Sequence, residues 1–244
     1  MTSKSKYDHI VKYERSSQHK SMREVGQIRK LKEAPAARVP NRRDRRKLAT
    51  RQALLDATIA LLSSRSMDAP TVDEIAMRAD VAKGTFYNYF ADKDALEREL
   101  ASQVRVRVES EIARTNEGVS DPAERIARAF CCVLHFCLGA PEQAAAMMRL
   151  FPHATDPAAP INSGVRGDVT EGLAQGRIFA ASEDVAVASI VAVFMAGVNR
   201  VLDLPSSNAR MFAIGMGSIL LHGLGISRSQ AKRIMAQAVE SVLL

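Results

Sequence analysis

Leu96, Leu100, Val104, Val108 and Ile112 step by four without interruption as far as Gly118. That spacing is one face of an α-helix of roughly 25 residues, about 38 Å long at 1.5 Å per residue. An apolar stripe this long has to be covered by other helices, and the chain supplies them. Leu48, Leu55, Ile59 and Leu62 recur at steps of 7, 4 and 3 in a helix from Asp44. Asp68-Ala69-Pro70 breaks it. Thr71, with Glu74 three residues on, has the capping-box spacing and opens a short helix over Val72 to Ala79. Asp80-Val81-Ala82 is a tight turn, a second short helix runs from about Lys83 to Tyr89, and Asp92 caps the long helix. Beyond it, Asp121-Pro122 opens a helix to about Leu138, and Gly139-Ala140-Pro141 separates that from one ending near Phe151. Residues 152–160 contain Pro152, Pro157 and Pro160 and read as a loop; helices follow over 161–177, 182–203, 207–222 and 228–243, the last capped by Ser227. No strand alternation and no internal repeat occurs. The expected fold class is all-α.

Charge narrows the function. The chain has 244 residues and a net charge of +7. Residues 1–47 carry 15 Lys+Arg against 5 Asp+Glu, whereas residues 48–244 carry 19 against 22. The excess therefore belongs to a basic, disordered N-terminal arm, residues 1–43, whose end runs into Arg42, Arg43, Arg45, Arg46 and Lys47. The longest apolar run, Val185 to Val198, is 14 residues and includes Ser189, short of a spanning helix. With no apolar leader and an odd set of three cysteines, a reducing cytoplasm is the expected location. No Gly-rich phosphate loop, nucleophile elbow, HExxH or carboxylate cluster recommends an enzyme, so no catalytic residue, metal or cofactor is expected.

Two short helices joined by a three-residue turn and preceded by a packed helix make a helix-turn-helix. Ile75, Ala76 and Ala79 supply its inward face, and Phe86 and Phe90, four apart, face the core. Lys83, Thr85, Tyr87, Asn88 and Tyr89 supply the donors and flat polar groups that a major groove requires. Aromatics this dense on so short a helix cannot all face inward, so Tyr87 and Tyr89 are both assigned to the surface. The run from Thr71 to Leu96, above all Lys83-Gly84-Thr85-Phe86-Tyr87-Asn88-Tyr89-Phe90 with Lys93-Asp94-Ala95-Leu96, resembles the signature of the TetR family of transcriptional regulators. The likeness covers about residues 45–98; the remainder agrees only in layout.

The resemblance implies a helix-turn-helix DNA-binding domain (44–92) and a helical ligand-binding and dimerisation domain (93–244). It also implies a homodimer that binds a palindromic operator on double-stranded DNA, usually as a repressor, and is released by a small-molecule effector. Carried over by position, Thr71 touches a phosphate, Lys83, Gly84 and Thr85 lie at the reading end of the second helix, Tyr87 and Tyr89 bond phosphates or stack along sugar and base edges, and Lys93 clamps a further phosphate. From the residues themselves, Asn88 on the outward face and Arg45 in the basic cluster join the expected DNA contacts. Asp80 stands where the family usually has a turn Gly, and Ala82 where a Ser cap is frequent; the lost cap costs about 1 kcal/mol.

In the C-terminal half, Val185–Val198 and Phe212–Leu224 are apolar nearly all round, as helices covered on every side are. Small residues there (Ala192, Ala196, Gly197, Ala213, Gly215, Gly217) permit close approach, so the expected dimer interface is a four-helix contact that includes Val191, Ala192, Met195, Ala196, Phe212, Gly215 and Ile219. Burial within one subunit is the alternative. An effector cavity is expected among the 121–138, 141–151, 161–177 and 182–203 helices, lined by Phe130, Leu134, Met147, Met148, Phe151, Phe194 and Met195, with His135 and Arg166 as polar anchors. Phe136 and Phe179 are further lining candidates. Cys131 and His135, four apart, leave a thiol- or metal-responsive regulator open, although Cys132 and Cys137 point elsewhere and buried inert thiols are the commoner outcome. The basic arm leaves open an architectural or weakly specific DNA-binding protein. A membrane partner is not expected.

Overall fold

The computed structural model describes residues 41–64, 69–151, 154, 156, 158–203 and 208–243. Residues 1–40, most of the expected basic arm, lie outside the described residues. Among the described residues there are only helices and loops.

Helix α1 spans Arg42–Ser63. It begins two residues before Asp44 because Asn41 is the cap. The Asn41 side chain accepts the Asp44 N–H at 2.9 Å, and the Asp44 carboxylate accepts the Asn41 N–H at 3.2 Å. Arg42 to Lys47 therefore sit on helical turns, all of them exposed. Residues 49–244 form one compact unit, and residues 41–48, the polar opening of α1, fall outside it.

Within that unit, α2 (Val72–Arg78) and α3 (Lys83–Tyr87) are short, and α4 (Lys93–Thr115) is long. Leu54, Leu55 and Leu62 of α1, Ile75, Phe86, Phe90 and the start of the α4 stripe belong to the buried core. Thr58 is fully buried but satisfied, its hydroxyl donating to the Leu54 carbonyl at 2.8 Å. The stripe holds over its first four members, Leu96, Leu100, Val104 and Val108, which are all buried, while Ile112 is half-buried.

The C-terminal helices are α5 (Pro122–Gly139), α6 (Pro141–Leu150), α7 (Ser163–Ala174), α8 (Glu183–Val201), α9 (Ala209–Gly223) and α10 (Arg228–Val242), with a 3-10 turn over Pro160–Asn162 ahead of α7. Helix α5 is the centre: it packs against α4, α6, α7, α8, α9 and α10. Its burial continues almost all round, from Ala123 and Ile126 through Phe130 to Leu134 and Cys137. Gly139-Ala140-Pro141 turns α6 away from α5 by 118°. At Gly197 on α8, an added Cβ would lie 2.8 Å from the edge of the Phe130 ring, so only glycine lets the two helices approach this closely.

That contact revises the role given to the small residues. Gly197, Gly217 and Ala213 face inward, Gly197 against Phe130 and Gly217 against Met235, while Ala192, Ala196 and Gly215 are exposed. Helix α8 is, among the described residues, one helix long and apolar enough to cross a membrane, longer than the 14-residue run marked in the sequence because helix ends extend it. It packs against α5, α7 and α9.

Candidate nucleic-acid interface and ligand cavity

The turn between α2 and α3 is built by backbone hydrogen bonds. The Asp80 N–H donates to the Met77 carbonyl at 3.2 Å and the Val81 N–H to the Ala76 carbonyl at 3.0 Å. These are the two bonds of a Schellman motif, and they require a left-handed residue between the helices. Asp80 takes that place, with φ of 55°, the only non-glycine at positive φ among the described residues. Ala82 then caps α3 through its backbone alone, with no side-chain hydrogen bond.

Thr71 and Glu74 close the expected box at the start of α2. The Glu74 N–H donates to the Thr71 hydroxyl at 3.3 Å, and the Thr71 N–H donates to Glu74 Oε2 at 2.7 Å. That backbone bond holds the Glu74 carboxyl below its ordinary value. Both the N–H and the hydroxyl of Thr71 point to Glu74 in the free chain, the hydroxyl at 2.8 Å.

Phe86 and Phe90 are buried and anchor the α3 segment from behind. Lys83, Gly84, Tyr87 and Asn88 are exposed, Tyr87 by 52%. Thr85 is half-buried, and Tyr89 is half-buried and packed against the core rather than standing on the surface. Asn88 is the C-cap of α3, which ends two residues earlier than the spacing predicts. Lys83 Nζ lies 2.9 Å from Asp73 Oδ2, and this hydrogen bond raises the Lys83 pKa. Lys93, half-buried at the start of α4, pairs with Glu97 at 3.5 Å. Arg45 lies on the exposed opening of α1.

The C-terminal helices enclose a cavity of about 470 Å³. Met147, Phe194 and Met195 line it, as read from sequence. The other lining candidates lie elsewhere. Phe130 and Leu134 are fully buried in the core, Phe130 stacked obliquely on Phe194 at 5.1 Å between ring centroids. Met148, Phe151 and Phe136 pack partly buried against the core, and Phe179 is largely exposed. His135 is exposed although Cys131, four residues before it, is fully buried, so the pair does not share an environment. Arg166 pairs with Glu183 and, at 3.3 Å, with Asp184.

Sequence reasoning missed the polar lining: Glu109, Asn116, Arg125, Asn162, Ser163 and Asp168. Arg125 donates to Asp168 at 2.6 Å and to Glu171 at 2.5 Å. Burial pushes the Asp168 carboxyl up, and Arg125 only partly offsets it. Asn116, the C-cap of α4, was signalled only by its place just past the last stripe residue.

Burial pushes the thiols of Cys131 and Cys137 up to about 12 and raises that of Cys132 as well. All three are thus held as neutral thiols, poor nucleophiles and poor metal ligands. No group of three His, Cys, Asp or Glu side chains able to hold a metal occurs among the described residues.

A stripe on α8 (Val185, Ser189, Ala192, Ala196, Asn199) and one on α9 (Met211, Gly215, Ile219, His222) are exposed. Met211 and Ile219 are 75% and 70% exposed. Of the residues assigned to the dimer contact, Ala192, Ala196, Gly215 and Ile219 lie on these stripes, Phe212 is half-buried, and Val191 and Met195 turn to the cavity instead.

Residues 54–100 match the model of the family described as bacterial regulatory proteins, tetR family. That match covers the helix-turn-helix and the start of α4, and the rest of the chain lies outside it. Members of this family are DNA-binding transcription factors, not enzymes. Among curated relatives, the HTH-type transcriptional regulator HbdR of Aromatoleum sp. (strain CIB) is 33% identical over 87 residues. That match takes in 34% of this chain and 38% of HbdR, so the chain covers well under half of its relative's length. A TetR-family transcription regulator from Shewanella sp. PV-4 superposes with a TM-score of 0.63 at 16% identity, over 72% of this chain and 97% of that one. RolR in complex with resorcinol superposes with a TM-score of 0.52 at 23% identity, over 79% of this chain and 96% of RolR. At these identities the structures share the TetR fold.

Proposed function

We propose that the chain is a homodimeric repressor that binds a palindromic operator and is released when a small molecule enters the C-terminal cavity. The observation that carries the DNA-binding half is the outward set on α3, where Lys83, Gly84, Tyr87 and Asn88 are exposed while Phe86 and Phe90 anchor the helix from behind. Phosphate contacts position such a helix and its exposed side chains read bases. Thr71, Thr85, Tyr89 and Lys93 flank that set and are assigned to phosphate and sugar contacts, Lys93 after leaving Glu97. In this division residues 44–92 bind DNA, residues 93–244 bind effector and partner copy, and the arm over residues 1–43 adds sequence-independent attraction, with Arg45 in the cluster that follows it.

Dimerisation is supported by the two exposed stripes on α8 and α9. Large apolar side chains left in water beside small residues are the composition of a helix face that packs on its own copy. Effector binding is supported by the cavity, which falls within the roughly 300–1,000 Å³ of small-molecule sites, and by the likeness to RolR, whose structure holds resorcinol. Binding energy there moves α4, which runs from Asp92, next to the recognition unit, to Asn116 at the cavity; a coupling of about 1–3 kcal/mol is enough to release an operator.

Selection of bound fragments from the source genome, followed by sequencing, tests this. The expected result is a palindrome preferred over random DNA by about 10³ or more. Recovery of fragments with no common motif would favour an architectural DNA-binding protein. Deleting residues 1–41 is expected to weaken all binding and flatten its salt dependence while the preference survives.

A further inference from the structure

The polar atoms around the cavity are unevenly committed. Arg125 is the one cation among the described lining residues, and its guanidinium is occupied: Nε donates to Asp168 Oδ1, Nη2 to Glu171 Oε2, and Nη1 to the carbonyls of Ser120 at 3.0 Å and Val119 at 3.3 Å. Two carboxylates against one guanidinium leave that cluster net negative. Glu109 takes the Arg105 guanidinium through both oxygens, at 3.1 and 3.2 Å. Asn162 spends its amide nitrogen on the carbonyls of Ala154 and Asp156, at 2.7 and 2.8 Å.

Asn116 differs. Its Nδ2 donates to the Arg125 carbonyl at 3.2 Å. A carbonyl can only accept, so this bond fixes which end of the amide faces α5. The other end, Oδ1, is buried with no partner. A buried acceptor without a donor is destabilising until something supplies one. Apart from Ser163, the remaining walls are almost entirely hydrocarbon, among them Ile112, Ile126, Val133, Ile190, Phe194 and Val198.

We infer that the cavity takes a neutral, mostly apolar molecule carrying a hydroxyl or N–H donor, that Asn116 Oδ1 accepts this donor, and that carboxylates and phosphates are excluded. An anion would be desolvated beside Asp168 and Glu109, with the one cation among the described lining residues already engaged. A donor-free hydrocarbon would fit the walls but leave Oδ1 unpaired. Asn116 is thus a specificity-determining residue, placed at the cavity end of α4. The inference rests on reading this cavity as the effector site, yet its test needs no DNA.

Three probes of one shape are titrated into the full chain by calorimetry: para-butylphenol, para-butylanisole and para-butylbenzoate. The phenol is expected to bind, the anisole at least about tenfold more weakly, and the benzoate more weakly still. In Asn116→Ala the phenol-to-anisole ratio is expected to fall towards one. Equal binding of phenol and anisole by the unaltered chain, tighter binding of the benzoate, or no binding of any probe at millimolar concentration would each overturn the inference, whether or not the variant folds. An unchanged ratio in a folded Asn116→Ala would remove Asn116 from the contact. If the phenol binds selectively but leaves the operator complex intact, the effector reading fails and the binding assignment stands.

Discussion

The helix-turn-helix and the C-terminal bundle solve opposite problems. In the first, almost every structural decision is made within four residues: Thr71 with Glu74, Asp80 with Met77, Asp92 with the Ala95 N–H. In the second, one arginine joins carboxylates 43 and 46 residues away, and the cavity collects residues from Val108 to Val198. A surface that presents side chains to a fixed external shape is specified locally; an enclosed space is specified by what meets across it. The two regions therefore respond separately to substitution.

The largest separation is expected at the outer face of α9. Ile219→Asp puts a charge on the exposed stripe without touching the cavity or α3. Dissociation to monomers in analytical ultracentrifugation is expected, with operator affinity falling by about 100-fold or more as two-site binding is lost. A variant that stays dimeric would move the interface elsewhere. Next is Tyr87→Ala, which leaves the folded core intact. Loss of its contact with the operator costs about 1–3 kcal/mol, so operator affinity drops roughly fivefold to 150-fold while the melting temperature and probe binding hold. A lower melting temperature would show that the ring supports the fold.

Smaller effects sharpen the contrast. Asp80→Gly relieves a left-handed aspartate and is expected to raise stability by roughly 1 kcal/mol in denaturant titration, with cavity binding unchanged. No gain would mean that the Asp80 side chain compensates for its backbone. Smallest is the pH effect of Asp121, which caps α5 and accepts Arg177 through both oxygens. The Arg177 bond holds its carboxyl below the ordinary 3.8. Its stabilisation is therefore complete above that value and is lost as pH falls through the depressed one. Asp121→Asn keeps the cap but not the charge, so stability is expected to depend less steeply on pH below about 4, by up to about 1 kcal/mol. Asp168, shifted upwards, acts in the opposite sense in both proteins and cancels in the comparison. Identical acid limbs would leave the Asp121–Arg177 pair without a role in stability.

The same contrast explains what the sequence disclosed. The capping box, the Asp121-Pro122 start, the Ser227 cap and the α4 stripe depend on near neighbours and fell where the spacing put them. Phe130 and Leu134 read as cavity lining because they are large and apolar, but a missing side chain at Gly197, far along the chain, admits the Phe130 ring into the core. Asn116 and Asp168 carry no local signal, since nothing near them in sequence announces that Arg125 meets Asp168 or that an amide oxygen is left over. Tyr89 was set outside by a density argument that counted aromatics without the wall they pack against.

The account's central claim is that two joined copies read two half-sites. It is tested most directly by measuring affinity for the selected palindrome before and after about five base pairs, half a helical turn, are inserted between its halves. The account predicts that most of the specific affinity disappears, because the second recognition helix then faces the wrong side of the duplex. Unchanged affinity would contradict it and show that each copy binds alone.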